Sequence, residues 1–196
     1  MDRRATIERK TKETDIRLEL DLDGSGKVEV QTGVGFLDHM LDHLGKHSLC
    51  DLKVSARGDL HVDDHHTVED VAICLGQAVE RALGDKAGIR RYGFASVPMD
   101  DSLAQVSLDL SGRAATVFNA CFVGDKIGTF DVQLVEEFLR RVAATAGMNL
   151  HVNLPYGSND HHIAESIFKA FAQALRAAKE IDPGRKGNIP STKGTL

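Results

Sequence analysis

Apolar and charged positions alternate at the start of the chain. Ile16, Leu18, Leu20 and Leu22 take every second place between charged neighbours, which predicts a half-buried strand over residues 14–22, preceded by another over 5–11. DLDGSGK then predicts a hairpin turn into VEVQTG, with Gly24 and Gly26 supplying the turn conformations. The same letters begin like an EF-hand calcium loop, but position twelve is Thr32, where a bidentate glutamate is needed, and the flanks are strand-like. The period then lengthens. Leu37, Met40, Leu41 and Leu44 share one face of a helix in GFLDHMLDHLGKH. LCDLKVSARG reads as a strand, and a long helix runs from His65 to Leu83 with Val68, Ala72, Leu75, Val79 and Ala82 on one stripe.

The second part of the chain goes through a similar order. Residues 94–123 predict two strands or more, with Leu103, Val106, Leu108 and Leu110 before the turn SGR and AATVFNACFV after it. A helix is expected over 131–146, then the strand MNLHVNL, then the helix HHIAESIFKAFAQALRAAKE. Helix, strand and a helix opened by two histidines therefore occur twice. Aligning His65 with His161 gives an offset of 96, and aligning the preceding helices gives 98. An internal duplication predicts an α+β fold in which each half lays helices on a sheet. Residues 1–93 form the first half, 94–182 the second, and 183–196 a Gly-, Pro- and Lys-rich tail without a period.

The repeated segments are DDHHTVED, residues 63–70, and NDHHIAES, residues 159–166. On a helix, Glu69 is four residues from His65 and three from His66, so it neighbours both rings, while the two adjacent rings diverge by about 100°. His161, His162 and Glu165 repeat the set. One helical turn can thus serve two metal ions, or a metal and a substrate. Imidazole with carboxylate suits a borderline divalent cation such as Mn, Fe, Co or Zn. A single His-His pair is a weak signal, and its duplication with the glutamate makes metal binding the favoured reading. Asp64 and Asp160 stand beside the pairs and are expected to steady the rings from behind. His39, His43 and His47 lie four apart on the first helix; His43 and His47 also fit a solvated or capping row, while Glu137 occupies the position of His39 under the offset of 98. His61 and His151 read as structural.

Composition narrows the function. The 196 residues are 42% hydrophobic, enough for a substantial core, and the formal net charge of −5 argues against a nucleic-acid binder. No stretch approaches the roughly 18 apolar residues of a membrane span, and the charged N-terminus MDRRATIERK is no signal peptide. Cys50, Cys74 and Cys121 are odd in number and widely spaced, so neither a disulfide framework nor a zinc-thiolate site is expected, and a reducing cytoplasm fits. Cations gather near turns and ends: Arg90 and Arg91 after DKAG, Arg113 in LSGR, Lys169 two turns after His161, and Lys193 beside Ser191 in PSTKG. Glycine next to Lys, Ser and Arg suits a phosphate. Each cation taken alone is an ordinary surface charge.

RKTKET, GVGFLDHMLDHLGKH, GDLHVDDHHTVEDVAICLG, DLSGR, HHIAESIFKAFAQALR and PSTKG together resemble the imidazoleglycerol-phosphate dehydratases, in family order and over nearly the whole chain. An appended phosphatase domain, as in the bifunctional members, is not expected. The resemblance implies a ribosomal S5 domain 2-like pair of halves, each a four-stranded sheet backed by helices, with trimers assembled into a 24-subunit octahedral shell. It implies two Mn(2+) ions per active site, held at subunit interfaces by His39, His65, His66, Glu69, Glu137, His161, His162 and Glu165; many relatives carry histidine at the position of Glu137. It places a small phosphorylated imidazole substrate, with phosphate contacts at His47, Arg91, Arg113, Lys169, Ser191 and Lys193 and a further contact position at His43. Neither nucleic acid nor membrane is an expected partner.

The implied reaction converts D-erythro-imidazoleglycerol phosphate to imidazole acetol phosphate in L-histidine biosynthesis, through an imidazolate and a diazafulvene-like form. Glu13 in KTKET is the expected base, with Glu69 and Glu165 as ligands able to relay protons. A dinuclear metallohydrolase or a metal-storing shell protein would use similar ligands; water loss measured against phosphate release separates the first, and substrate-linked metal affinity the second.

Overall fold

The computed structural model describes residues 2–196. Its first half runs β1 (Arg4–Lys10), β2 (Thr14–Asp21), β3 (Val28–Gln31), α1 (Gly35–Ser48), β4 (Asp51–Gly58) and α2 (His65–Leu83). Its second runs β5 (Tyr92–Met99), β6 (Ser102–Asp109), β7 (Ala115–Asn119), a two-stranded excursion of β8 (Lys126–Ile127) and β9 (Phe130–Asp131), then α3 (Gln133–Ala146), β10 (Asn149–Tyr156) and α4 (Asp160–Lys179). A 3-10 turn at Pro183–Arg185 leads into the tail.

Strand order is β1-β2-β4-β3 in one sheet and β5-β6-β10-β7 in the other. The strand senses match as well: in each sheet two antiparallel pairings are followed by one parallel pairing at the end, β3 with β4 and β7 with β10. The duplication inferred from the His-His motifs is therefore a duplication of topology. Alternation sets the faces. Ile16 and Leu18 lie opposite Ala56 and Val54 across β2 and β4, and Val106 lies opposite Val152 across β6 and β10, all buried.

Three expectations shift. DLDGSGK does not make a hairpin: β3 pairs in parallel with β4, Val30 opposite Val54, so α1 is a crossover between them. What pins the turn is Asp51, whose Oδ1 accepts from the backbone N–H groups of Ser25 at 2.7 Å and Lys27 at 2.9 Å. The strand expected from residue 94 begins at Tyr92, because Gly93 allows close approach to α4; a methyl there would overlap the Ala174 carbonyl. The helix expected from 131 begins at Gln133, since Phe130 and Asp131 belong to β9.

Helices line the inner face of each sheet and meet each other across the middle, α1 against α4 and α2 against α3. One apolar core results, with Leu18, Met40, Leu75, Phe138, Phe168 and Phe171 essentially inaccessible. The Phe138 ring of α3 and the Phe168 ring of α4 sit 5.2 Å apart within that core. Burial of each such side chain contributes roughly 1.5–3 kcal/mol. The pairing is crossed: a helix of one half packs on the His-His helix of the other. No described helix is long and apolar enough to cross a membrane.

Candidate metal centres and active site

Two clusters arise from this crossing. In the first, α1 offers His39 and His43 and α4 offers His161 and Glu165. Glu165 Oε2 lies 3.2 Å from His161 Nε2 and 4.0 Å from His39 Nε2, while Oε1 lies 3.1 Å from His43 Nε2 and 2.5 Å from Lys169 Nζ. Glu165 is buried. Burial pushes its carboxyl up, but the Lys169 ammonium and His43 outweigh that and hold it below the usual range. Burial lowers His43 to about 4, against the pull of Glu165, so this ring is neutral near pH 7. His47 stacks on His43 at 5.6 Å and is lowered too, first by burial and then by Lys169. His43 is thus no solvated row: it is half-buried against Glu165.

The second cluster repeats the plan with α2 and α3. His65, Glu69 and Glu137 each present a ligand atom within 4.8 Å of the others, and His39, His43 and Glu165 do the same in the first cluster. Arg141 lies across the carboxylates, with Nε 2.6 Å from Glu137 Oε1 and Nη2 3.1 Å from Glu69 Oε1. Sequence reasoning missed Arg141; the offset that pairs His39 with Glu137 also pairs His43 with Arg141 and is the signal that could have found it.

The remaining imidazole of each pair points elsewhere. The His65 and His66 ring planes stand at 81° and those of His161 and His162 at 84°, and adjacent helical positions send the two side chains off in directions about 100° apart. Each outlying ring is fixed through Nδ1: His66 by Asp59 Oδ2 at 3.0 Å and His162 by Asp101 Oδ1 at 2.5 Å. Those carboxylates raise both imidazoles. Hydrogen bonds from Ser158 and His162 hold Asp101 well below the ordinary carboxylate range. Asp64 and Asp160, expected in this role, do other work. Asp160 accepts from the N–H groups of Val123 and Gly124, both at 2.7 Å, and Asp64 caps α2 without a side-chain bond. A residue just before the first helical histidine is turned away from its ring. Asp59 sits in the loop after β4 and Asp101 in the β5–β6 turn, places that the duplication does not match, so the repeat could not flag them. Asp63 and Asn159 instead cap the two histidine turns, accepting from the N–H of His65 at 2.8 Å and of His161 at 3.0 Å.

Glu13 stands in the β1–β2 turn, its Oε1 4.0 Å from His66 Nε2. The expected phosphate contacts fall into two clefts. Arg91, Arg113, Ser191 and Lys193 line one of about 610 Å³ with the tail; His47 and Lys169 line another of about 460 Å³ against β5. Arg91 is engaged within its cleft, with Nε 2.6 Å from Asp109 and Nη1 donating to the Pro190 carbonyl at 2.8 Å, so it ties the tail to β6. His61 and His151 are exposed, in a turn and on β10.

Residues 32–175 match the family model described as imidazoleglycerol-phosphate dehydratase. The chain belongs to that family. A curated family member from Brucella suis, named imidazoleglycerol-phosphate dehydratase, is 58% identical over 194 residues, covering 99% of this chain and 96% of its own. The crystal structure of the Staphylococcus aureus dehydratase aligns with a TM-score of 0.84 at 40% identity, over 91% of this chain and 99% of its own. The Pyrococcus furiosus enzyme, solved in complex with (S)-C348, gives 0.84 at 35% identity over 97% and 100%. Family membership makes the chain a hydro-lyase of histidine biosynthesis.

Proposed function

We propose that the chain dehydrates D-erythro-imidazoleglycerol phosphate to imidazole acetol phosphate, in the cytoplasm, with two Mn(2+) ions per active site. The observation carrying this is the paired construction: two crossed clusters of nitrogen and oxygen donors, each beside a second imidazole whose Nδ1 is anchored and whose Nε2 is directed away. Neutral imidazole with carboxylate fits Mn(2+), so His39, His161 and Glu165 would hold one ion and His65, Glu69 and Glu137 the other. His66 and His162, facing outward, would complete clusters on neighbouring chains, within trimers assembled into a 24-subunit shell. Bound cations supply positive charge that favours the imidazolate of the substrate.

The chain's own groups do the rest. From the imidazolate, the hydroxyl on the carbon attached to the ring leaves as hydroxide and gives a diazafulvene-like form. Glu13, within a short movement of His66, then takes the proton from the neighbouring carbon, and the enol that results tautomerises to the ketone of the product. Glu69 and Glu165 relay protons where they also serve as ligands. Lys169 and His47 on one side, and Arg91, Arg113, Ser191 and Lys193 on the other, anchor phosphate from clefts of different protomers, and the tail closes over the bound substrate.

The test compares water loss with phosphate release on one preparation, as isolated, after chelation and after Mn(2+) return. Dehydration that disappears and returns with the metal supports the proposal; phosphate release instead would defeat it. Glu13→Gln with full metal content and near-normal turnover would remove Glu13 as the base. Chelation also lowers the solution mass if interface metals hold the shell together.

A further inference from the structure

The two clusters share a plan but differ in donors. Position 39 of α1 and position 137 of α3 correspond, and so do 43 and 141. The first cluster presents three imidazoles, His39, His43 and His161, to one carboxylate that already carries Lys169. The second presents one imidazole, His65, to two carboxylates bridged by Arg141. The guanidinium uses Oε1 of both Glu69 and Glu137, and Glu69 Oε2 is the atom that faces His65 Nε2, at 3.9 Å. Arg141 can therefore stay in place while the other carboxylate oxygens take a cation. Formal charge separates the clusters as well: Glu165 and Lys169 cancel, whereas Glu69, Glu137 and Arg141 leave one negative charge.

We propose that these are cation sites of different preference, with Glu137 and Arg141 as the elements that set the difference. The His65–Glu69–Glu137 site takes the harder, oxygen-preferring cation, such as Mn(II). The His39–His161–Glu165 site takes the more nitrogen-preferring one, such as Co(II). Carboxylate oxygen suits Mn and Mg, whereas imidazole suits the later divalent ions. Arg141 offsets one of two closely spaced carboxylates and so keeps the site from binding any divalent ion by charge alone. The proposal rests on the metal reading given above.

The test loads metal-free full-length protein with Mn(II) and Co(II), one equivalent of each per chain. The ions are then located by anomalous scattering at both absorption edges, with total content counted by metal analysis. The expected result is Mn over Co at the Glu137 site and Co over Mn at the His39 site, each by about fivefold, the ratio given by 1 kcal/mol of differential affinity. Glu137→His should even out the partition. Arg141→Gln, which keeps both carboxylates, should tighten Mn(II) at one of the two sites per chain, read from the free-Mn(II) resonance during titration. Equal occupancy by both ions at both clusters, or a partition that survives Glu137→His, overturns the proposal alone. Unchanged or weaker Mn(II) binding in Arg141→Gln overturns the part given to Arg141. Absence of metal from both clusters overturns the metal reading and this proposal together.

Discussion

Asp70 ties α2, the helix of the second candidate cluster, to the turn that carries Glu13, and its removal should cost both stability and turnover. It is buried on α2, directly after Glu69, and only 6% exposed. Oδ2 accepts from the buried Thr14 hydroxyl at 2.5 Å and Oδ1 from Arg9 Nε at 2.9 Å. Thr14 starts β2, and the Thr11 hydroxyl accepts from the N–H groups of Glu13 and Thr14, so the clamp reaches the proposed base within two residues. A hydrogen bond to a charged group contributes about 1.5–3 kcal/mol. The Arg9 side chain is about a third exposed, so its share falls toward the value of a surface pair. Asp70→Ala should therefore destabilise by about 3 kcal/mol, the lower edge of what breaking a buried pair costs. At 2–4 °C per kcal/mol for a chain of this size, melting should drop by about 6–12 °C. Asp70→Asn keeps the shape and should lose less. Scanning calorimetry at matched protein and metal concentration checks this, since assembly shifts apparent stability. A cycle with Thr14→Val isolates the hydroxyl. If Asp70→Ala melted within about 2 °C of the parent, the clamp would contribute less than 1 kcal/mol and the argument would fail.

Gly76 lets α2 and α3 close on each other, and a methyl there would crowd the Val142 carbonyl at 2.6 Å and overlap the Thr145 hydroxyl. Gly76→Ala should lower melting by about 2–12 °C, from 1–3 kcal/mol of overpacking, and should weaken metal retention at the proposed Glu69–Glu137 site, measured by equilibrium dialysis. The N–H groups of Lys27 and Ser25 hold the Asp51 carboxyl below its ordinary value. The unfolded chain therefore takes up that proton first as pH falls, so this stabilisation is present above the unfolded value and is lost through the folded one. Asp51→Asn should flatten the fall in melting temperature between about pH 5 and pH 2. Cys50 and Cys74 are buried, which raises both thiols, Cys74 to about 11. Neither should react with iodoacetamide at neutral pH in the native protein, whereas both should in denaturant, as read by mass spectrometry.

Much of the fold was legible because periodicity is a local property. The alternation from Ile16 to Leu22 marks a strand whatever it pairs with, and Leu37, Met40, Leu41 and Leu44 mark one face of α1. Pairing is not local. Nothing in VEVQTG distinguishes a hairpin partner of β2 from a parallel neighbour of β4, and the turn is decided by Asp51, more than twenty residues away. The candidate ligands were legible because the duplication doubled them. Asp59, Asp101 and Arg141 were not, since the first two lie at unmatched places and the third changes residue type between copies. His43 looked solvent-facing because its stripe lies off the apolar face of α1; the neighbour that covers it is α4, which the helix's own pattern cannot reveal.

The crossed packing explains why a doubled fold is needed at all. A single half has one His-His helix, and the two rings of that pair diverge, so no one helix can close both around the same ion. Placing α1 of one half on α4 of the other gives the first ring of the pair its companions, and α3 on α2 does the same for the second pair. The other rings, His66 and His162, gain only a carboxylate behind them and keep Nε2 outward, 4.0 Å from Glu13 and 3.5 Å from Asp100. Fixing an imidazole from behind, with loop carboxylates that serve no core, restricts a ring that would otherwise rotate freely at the surface. Such restraint is useful only if something approaches from the front. A second chain presenting an incomplete cluster would meet that condition, and the outward Nε2 atoms of His66 and His162 are the feature of one chain that supports the proposed sites between subunits.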